Sequence, residues 1–306
     1  MTDHATEFDY IIVGAGSAGC VVAEHLSRDR DVTICILEAG KSDNHPNIRT
    51  PMLLKEVVSG GPFNWNYETE PQQRLNNRRL FWPRGKTLGG SSSINAMHYM
   101  RGAPENFDEW GEMIGDPRWN WTDALERFRR QENNNAFSGP LHGNDGPLHV
   151  QSIPKLNPLT RLFLEAGGEL QYPENDDFNG EKQYGFGPYQ VTMNGPRRWS
   201  AADAFLRPAL ERGNITVITE ALAHRVRLEG KRATGVLVDI RGELTELTAR
   251  KEVILSGGAI NSPQLLQLSG IGDADWLRAA GVTPEVDLPG VGRNLQDHLD
   301  IAAVAT

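Results

Sequence analysis

Residues 8–40 read FDYIIVGAGSAGCVVAEHLSRDRDVTICILEAG, and this stretch decides the fold. The run at 8–14 is continuously apolar and rich in Ile and Val, which predicts a strand buried on both faces. Residues 17–28 have helical spacing, residues 29–31 form a turn, and residues 32–38 form a second apolar run. A strand, a helix and a second strand within about thirty residues predict a parallel βαβ unit.

Three glycines with the spacing G-x-G-x-x-G lie where the predicted strand meets the helix, at Gly14, Gly16 and Gly19. The first allows a tight turn, the second lets backbone approach a pyrophosphate, and the third lets helix and strand pack closely. The pyrophosphate would lie at the helix N-terminus, where unpaired N–H groups favour negative charge. Glu38 ends the second strand, as a ribose-binding carboxylate should. The pattern predicts an adenine dinucleotide, with a plain glycine turn as the alternative.

Glu38 also argues against NADP, because a carboxylate would repel its 2′-phosphate, but this motif does not separate NAD from FAD. A second stretch does: RGKTLGGSSSINAM at 84–97, which we call the serine loop. It starts with two cations and ends on apolar residues, unlike a low-complexity linker. The flavin end of FAD needs N–H and hydroxyl donors along the ring edge. The serine loop therefore favours FAD, although GGSSS alone could be a flexible turn.

The composition disfavours several classes of function. The 306 residues carry a formal net charge of −9, and the densest basic cluster holds only Arg78, Arg79, Arg84 and Lys86, which disfavours nucleic-acid binding. The two cysteines lie in apolar runs and the eight histidines lack metal-ligand spacing, so no metal site is predicted. We see neither a signal peptide nor a run of about 18 apolar residues. We expect a cytoplasmic protein and leave open peripheral association with the inner face of the membrane.

In the rest of the chain, the spacing of apolar residues changes from a helical to an alternating pattern. Amphipathic helices are predicted at 104–114, 121–132, 157–170 and 201–213, the last capped by Gly213. Alternating segments predict an antiparallel meander at 215–219, 222–230, 233–240 and 243–249. A separate buried strand at 251–259 and a helix at 262–270 are predicted to follow.

Four blocks of the sequence together resemble the glucose–methanol–choline (GMC) flavoprotein oxidoreductases. They are FDYIIVGAGSAGC at 8–20, NNRRLFWPRGKTLGGSSSINAM at 76–97, GGAINSPQLLQLSGIG at 257–272 and LPGVGRNLQDHLD at 288–300. The resemblance runs from about residue 8 to the last residue, and within the family the chain looks most like the bacterial FAD-linked alcohol and choline dehydrogenases. It implies an α/β fold, with a Rossmann-like FAD-binding domain that combines a parallel sheet and an antiparallel β-meander, and part of a smaller α+β substrate domain.

The resemblance also implies a division of the chain into three segments. Residues 5–155 would form the first part of the FAD-binding domain, and residues 156–213 part of the substrate domain. Residues 214–306 would complete the FAD-binding domain with the meander and the return strand.

The residues that the resemblance implies for FAD binding are Gly14, Gly16, Ser17, Gly19, Glu38, Arg84, Thr87, Gly90, Ser91, Asn95, Ala96, His98 and Ala223. Ser17 and the first three glycines would hold the pyrophosphate, Glu38 the adenosine ribose, and Ala223 the adenine through main-chain atoms. The first half of the serine loop would wrap the extended cofactor. Its second half, with His98, would meet the pyrophosphate and flavin portions. Some members attach flavin through a histidine where this chain has Ile94, so non-covalent FAD is expected.

Such enzymes oxidise an alcohol to an aldehyde. A histidine base takes the hydroxyl proton while hydride passes to flavin N5, and the electrons then pass to a quinone or another acceptor. In the family this base is paired with another histidine or an asparagine far down the chain, and no histidine of this sequence matches it. We therefore expect no catalytic residue here and place the histidine pair beyond Thr306, as in the N-terminal part of a longer enzyme.

Three alternatives stay open at this point. The small-molecule substrate could be choline rather than an aliphatic alcohol. A natural short protein could bind FAD without turnover. An NAD-dependent reductase is a third reading, which the serine loop disfavours. The sequence does not fix which alcohol is oxidised, the electron acceptor or the oligomeric state.

Overall fold

The computed structural model describes residues 6–298. The chain divides into two compact units, Met1–Gly40 with Arg212–Thr306, and Lys41–Glu211. The boundary predicted after residue 213 lies close to this division, whereas the boundary predicted after residue 155 falls inside the second unit. Residue 5 and residues 299–306, included in the predicted domains, lie outside the described residues. The assignment of functions to these segments stays a prediction.

The first unit contains the βαβ stretch and most of the C-terminal elements. With numbering along the whole chain, its elements are β1 (Glu7–Val13), α1 (Ser17–Leu26), β2 (Ile34–Glu38), β9 (Ile215–Thr219), β10 (Ala221–Glu229), β11 (Arg232–Ile240), β12 (Glu243–Leu255), α8 (Gly258–Leu268), β13 (Ile271–Gly272), α9 (Ala274–Ala279) and β14 (Val286–Asp287).

The second unit is built from helices and pairs of short strands. Its elements are α2 (Pro46–Arg49), α3 (Lys55–Val58), β3 (Tyr67–Glu68), β4 (Phe81–Trp82), α4 (Pro104–Ile114), α5 (Trp121–Gln131), β5 (Glu132–Asn134), β6 (Leu148–Val150), α6 (Pro158–Glu169), β7 (Met193–Asn194), β8 (Arg197–Arg198) and α7 (Arg207–Leu210).

Six strands of the first unit form one mixed sheet in the order β10-β11-β12-β1-β2-β9. The pairs β12–β1, β1–β2 and β2–β9 are parallel, and the pairs β10–β11 and β11–β12 are antiparallel. Ile11, Cys35 and Leu37 from the central strands are buried with Val236 and Leu247 from the meander in one core. The predicted combination of a parallel sheet and an antiparallel meander is confirmed.

Two details of the predicted meander are wrong. The segment 215–219 is not a meander strand, because β9 pairs in parallel with β2 at the opposite edge of the sheet. The predicted break between 249 and 251 is absent, because β12 continues as one strand that pairs with β11 through Thr248 and with β1 through Leu255. Alternation of side chains marks a strand, but it does not identify the partner of that strand.

The helices follow the predicted pattern more closely. Helices α4, α5 and α6 confirm three predicted segments to within one residue at each end. Helix α8 begins four residues earlier than predicted, at Gly258. The segment predicted as one helix over 201–213 is a π-helix at Ala202–Leu206 followed by α7, which ends at Leu210, before Gly213. Pro208, in the first turn of α7, has no N–H for an i→i−4 bond, and the helix is π rather than α in the five residues before α7; the C-cap of α7 is Glu211 and not Gly213.

A buried polar network stabilises the second unit. Arg101 Nη2 donates to Glu132 Oε2 over 2.6 Å, and Glu132 Oε1 lies 3.1 Å from His142 Nδ1. The other ring nitrogen of His142 lies 2.8 Å from Asp177 Oδ2. The hydrogen bond to Glu132 raises the pKa of His142, and Asp177 adds to that effect against the opposing effect of burial.

Candidate cofactor-binding site

The first glycine of the G-x-G-x-x-G pattern makes a turn that no other residue could make easily. Gly14 has a φ of +101°, and a Cβ placed there would lie 2.5 Å from the carbonyl oxygen of Ser256. Its N–H donates to Leu37 O over 2.8 Å. The turn therefore brings together the carboxyl ends of β1, β2 and β12, the edge at which α/β sheets bind ligands.

Helix α1 starts directly after this turn with its first N–H groups available to a ligand. Gly16 is the N-cap and has no side chain to cap them, and the first turn reads SAGC, so it has no carboxylate. Ser17 is exposed. A Cβ at Gly19 would lie 2.0 Å from Gly14 O, so glycine is required for the helix to approach the turn this closely. This arrangement suits an anion at the helix N-terminus.

Glu38 lies beside the same turn, at the end of β2. Its Oε2 accepts a hydrogen bond from Ala15 N over 3.1 Å, and its Oε1 accepts one from Gly40 N over 2.8 Å. These two bonds orient the carboxylate at the carboxyl end of the sheet. The side chain is nearly buried, with 5% of the residue exposed.

Ala223 belongs to the same unit as these residues. It lies in β10, half-buried, and is paired with Val238 next to an irregularity in the ladder. Glu220, which precedes β10, donates its N–H to Gly40 O over 2.9 Å. The beginning of β10 therefore adjoins Gly40, whose N–H donates to Glu38.

The serine loop lies in the second unit and is folded back tightly on itself. Gly89 has a φ of +82°, and Gly90–Ser93 form one turn of 3₁₀-helix. A Cβ at Gly85 would lie 2.2 Å from the carbonyl oxygen of Gly90, and Gly85 N donates to Ser91 Oγ over 3.2 Å. Glycine is needed because two backbone segments touch.

The predicted serine-loop residues divide into buried and exposed groups. Thr87 is fully buried, and its Oγ1 donates to Lys41 O over 2.9 Å, so it anchors the loop rather than facing a ligand. Gly90 is also buried. Arg84 is half-buried, and the exposed members are Ser91, Asn95 and Ala96; His98, directly after the loop, is also exposed. The loop thus has an anchored inner side and an outer side open to a cofactor.

Aromatic rings contact side chains at the beginning of the serine loop and directly after its end. The guanidinium of Arg84 lies 5.4 Å from the ring centre of Trp82, and Lys86 Nζ lies 4.6 Å from that of Trp65. His98 stacks on Tyr189 with ring centres 4.6 Å apart. Cation–π and stacking contacts fix the orientation of side chains that would otherwise be mobile at the surface.

Arg198 contacts the serine loop, and sequence reasoning missed it. Its Nη1 donates to Asn95 O, Asn95 Oδ1 and Ser92 O over 2.7, 2.8 and 3.2 Å. Its Nε donates to Ile48 O over 2.9 Å. Burial lowers the pKa of Arg198 to about 10. The sequence around β8 does not predict a contact with a loop about a hundred residues earlier. The one signal for a buried arginine was its position among small and aromatic residues in RRWSAA.

Metal binding and membrane crossing find no support in the part of the chain that is described. Within residues 6–298, no cluster of three or more His, Cys, Asp or Glu side chains could hold a metal ion. None of the helices in that range combines the length and the apolar character that crossing a bilayer requires.

Known proteins match almost the whole chain. An alcohol dehydrogenase [acceptor] from Pseudomonas putida is 49% identical over 297 residues, which are 96% of this chain and 54% of the relative. An oxygen-dependent choline dehydrogenase from Sinorhizobium fredii is 47% identical over 95% of this chain and 53% of its own length. The chain therefore spans about half the length of the curated relatives it matches.

Solved structures share the fold. Pyridoxine 4-oxidase from Mesorbium loti superposes with a TM-score of 0.87 at 37% identity, covering 92% of this chain and 55% of that one. An FAD-dependent oxidoreductase from Chaetomium thermophilum gives 0.86 at 27% identity, covering 92% and 51%. The sequence profile described as GMC oxidoreductase matches residues 8–300. The chain belongs to the GMC oxidoreductase family.

Proposed function

We propose that this chain binds FAD non-covalently and supplies the cofactor-binding part of an oxidoreductase that oxidises an alcohol to an aldehyde. The observation that carries the proposal is the uncapped N-terminus of α1 beside Glu38, at the carboxyl end of the parallel strands. A helix N-terminus of this kind binds pyrophosphate, and an oriented carboxylate at the end of the second strand binds ribose.

The two units have different proposed roles toward FAD. In the first unit, Gly14, Gly16, Ser17 and Gly19 hold the pyrophosphate, while Glu38 and Ala223 contact the adenosine. In the second unit, the proposed set is Arg84, Thr87, Gly90, Ser91, Asn95, Ala96 and His98. Thr87 acts by anchoring the loop through Lys41. The name of the Chaetomium relative, an FAD-dependent oxidoreductase, supports FAD over NAD.

The residue at position 94 supports the proposed non-covalent binding. Ile94 is 2% exposed and packs with Ile48 and Val57 in a small core. An aliphatic side chain in that place has no atom that could form a bond to flavin. FAD is then retained by hydrogen bonds, charge and apolar contact alone.

The substrate and acceptor are proposed from the relatives. The names of the Pseudomonas and Sinorhizobium enzymes support a small alcohol, with choline as the second candidate. Bound FAD would supply hydride acceptance at its flavin ring, and a quinone or another acceptor would take the electrons. We propose a cytoplasmic protein, either free or peripherally attached to the inner face of the membrane. We assign no catalytic base among the described residues; a non-catalytic FAD-binding module is the competing interpretation.

The test separates binding from folding by placing a charge in the first turn of α1. Glutamate there stabilises a helix by about 0.3–1 kcal/mol, so Ser17→Glu should fold at least as well as the wild type. The same charge repels pyrophosphate, so FAD affinity should fall at least tenfold, about 1.4 kcal/mol. Ser17→Gln, of similar size and neutral, should stay within about threefold of the wild type.

Flavin fluorescence during titration gives the affinity, and circular dichroism gives the fold. Equal FAD affinity for Ser17→Glu and Ser17→Gln would refute the assigned pyrophosphate site. Bound flavin should also keep its visible band after anaerobic addition of a primary alcohol or choline. Bleaching by either would mean that the chain contains its own base.

A further inference from the structure

The buried polar network of the second unit closes into a ring of hydrogen bonds that returns to Arg101. The side chain of Arg101 donates to Glu132, Glu132 contacts His142, and His142 contacts Asp177. Asp177 Oδ1 accepts a hydrogen bond from Asn179 N over 3.0 Å. The side chain of Asn179 completes the circuit, because its Oδ1 accepts from Arg101 N over 2.7 Å. We call these five residues the polar ring.

The polar ring holds the backbone that follows the serine loop. Tyr99 N donates to Gln190 O over 2.8 Å, as in an antiparallel pair of strands. Beyond that point the partners are side chains. Asn179 donates from Nδ2 to Tyr99 O over 2.9 Å and accepts from Arg101 N, and Gln183 Nε2 donates to Arg101 O over 2.8 Å. Side-chain amides therefore satisfy the backbone groups that a second strand would otherwise satisfy.

His142 closes the polar ring fully only as an imidazolium. Its Nδ1 lies 3.1 Å from Glu132 Oε1 and its Nε2 lies 2.8 Å from Asp177 Oδ2, so both ring nitrogens face carboxylate oxygens. A neutral imidazole carries one N–H and one lone pair, and it can donate to only one of the two carboxylates. The imidazolium carries two N–H groups and donates to both. The protonation state of His142 therefore decides whether the polar ring is closed.

The contact between His142 and Asp177 is the one that loss of the proton would break. Glu132 is fully buried and keeps further donors, which are Arg101 Nη2, Asn134 Nδ2 and Gly143 N. The side chain of Asp177 is 23% exposed, so water can reach it. A neutral His142 therefore keeps its proton on Nδ1 toward the buried Glu132, and the lone pair of Nε2 faces Asp177. Repulsion would displace that carboxylate and the turn that presents Asn179.

Other charged and titratable groups near His142, within residues 6–298, do not take over this control. Arg101 reaches the imidazole only through Glu132, and Arg129 donates to the carbonyl oxygen of His142, over 3.4 Å, rather than to its ring. Burial, and next to it Glu132, raises the pKa of Tyr99, so its hydroxyl stays neutral. Burial opposes ionisation of Glu132, but hydrogen bonds from His142 and other donors lower its pKa overall. The bond to Glu132 raises the pKa of His142, so the imidazole changes charge above about pH 6.5.

We propose that protonated His142 positions the backbone after the serine loop through the polar ring, and that loss of this proton loosens that backbone and weakens FAD binding. His142 is thus a positioning residue that acts through Asp177 and Asn179. The part that concerns FAD rests on the proposed function, because His98, three residues before Arg101, belongs to the proposed FAD-binding set.

The test measures hydrogen exchange at Arg101 N in the FAD-free chain, with the intrinsic exchange rate at each pH divided out. Protection of Arg101 N should fall at least about tenfold between about pH 6 and about pH 9. Val191 N, which donates to Gln151 O over 2.9 Å in the same unit, is the internal control and should change by less than about threefold. Constant protection of Arg101 N overturns the proposal. An equal fall at Val191 N also overturns it, because the whole unit would then be opening.

Two variants at adjacent positions each remove one carboxylate. Asp177→Asn keeps an oxygen for Asn179 N, and its amide nitrogen can donate to the lone pair of a neutral His142. The polar ring then closes without a charge, so protection of Arg101 N should change by less than about threefold with pH. Asp176 is exposed, and Asp176→Asn should reproduce the wild-type profile. A wild-type profile in Asp177→Asn overturns the proposal, and the two wild-type amides decide the case if this variant does not fold.

Flavin fluorescence titrations at the same pH values test the consequence for the cofactor. From about pH 6 to about pH 9, FAD affinity of the wild type and of Asp176→Asn should fall at least about threefold more than that of Asp177→Asn. If protection of Arg101 N falls with pH and FAD affinity does not, the part of the proposal that concerns FAD is wrong. If no variant binds FAD at either pH, the proposed function fails, and hydrogen exchange alone decides whether His142 positions the backbone.

Discussion

Replacing Arg198 with leucine would remove three donor hydrogens, one on Nε and two on Nη1, that are shared among four acceptor oxygens of the second unit. The bonds run to Asn95 O, Asn95 Oδ1, Ser92 O and Ile48 O, at 2.7 to 3.2 Å. Bonds from a charged donor contribute about 1.5–3 kcal/mol each, and burying a charge costs several kcal/mol. The buried Nη2, which has no partner among residues 6–298, adds to that cost. We expect a net loss of about 3 kcal/mol of unfolding free energy.

The lysine variant separates charge from geometry. Arg198→Lys keeps the cation but cannot reproduce the fork that reaches Asn95 and Ile48 together. We expect it to lose about half as much as leucine, roughly 1–2 kcal/mol. Arg197→Leu is the matched control, because Arg197 is exposed on the same short strand, and it should stay within about 0.5 kcal/mol of wild type.

Urea unfolding of the FAD-free chain measures stability, and flavin titration measures how well the serine loop is held for binding. At urea concentrations where all variants are folded, FAD affinity should fall in the order wild type, lysine, leucine. If the leucine variant unfolds at the same midpoint urea concentration as the wild type, Arg198 does not hold the loop. Full FAD affinity in a folded but destabilised leucine variant would limit its role to general stability.

Two further changes test the turn and the polar network. Gly19→Ala puts a methyl group 2.0 Å from Gly14 O, so thermal melting should show a loss of about 3 kcal/mol; an unchanged melting temperature would contradict the close packing. His142→Asn removes an imidazolium held by Glu132 and Asp177. Because the pKa of His142 is raised in the folded state, its contribution to stability is fully present below about pH 6.5 and is lost as the pH rises through the folded-state pKa. The difference in melting temperature between His142→Asn and the wild type should therefore become smaller at alkaline pH. A difference that is constant with pH would refute this.

The sequence predicted the elements whose signals are local. The βαβ unit, the glycine turn and the three amphipathic helices of the second unit depend on spacing within about a dozen residues. The position of Glu38 at the end of β2, beside the glycine turn, was predicted from its distance to the glycines, and its contact with ribose stays a prediction. Each of these predictions concerns residues close together in the chain.

The errors concern partners far apart in the chain. Strand β9 pairs with β2 across a separation of about 180 residues, and alternation within ITVIT cannot encode that choice. Arg198 is missing from the predicted site for the same reason, since its acceptors lie in the serine loop and α2. The π-helix before α7 was also missed, because a π-helix and an α-helix have similar apolar spacing over five residues.

The pairing of β1 with β12 has a consequence for how the protein folds as it is made. β1 pairs with β12, whose residues come about 240 positions later in the chain. Its other neighbour, β2, pairs on its far side with β9, which is also made much later. At about 5–20 residues per second, synthesis leaves β1 without β12 for on the order of ten to fifty seconds. During that interval two strands of Ile and Val have open edges, which favours aggregation. The second unit lies wholly within the interval and can fold first.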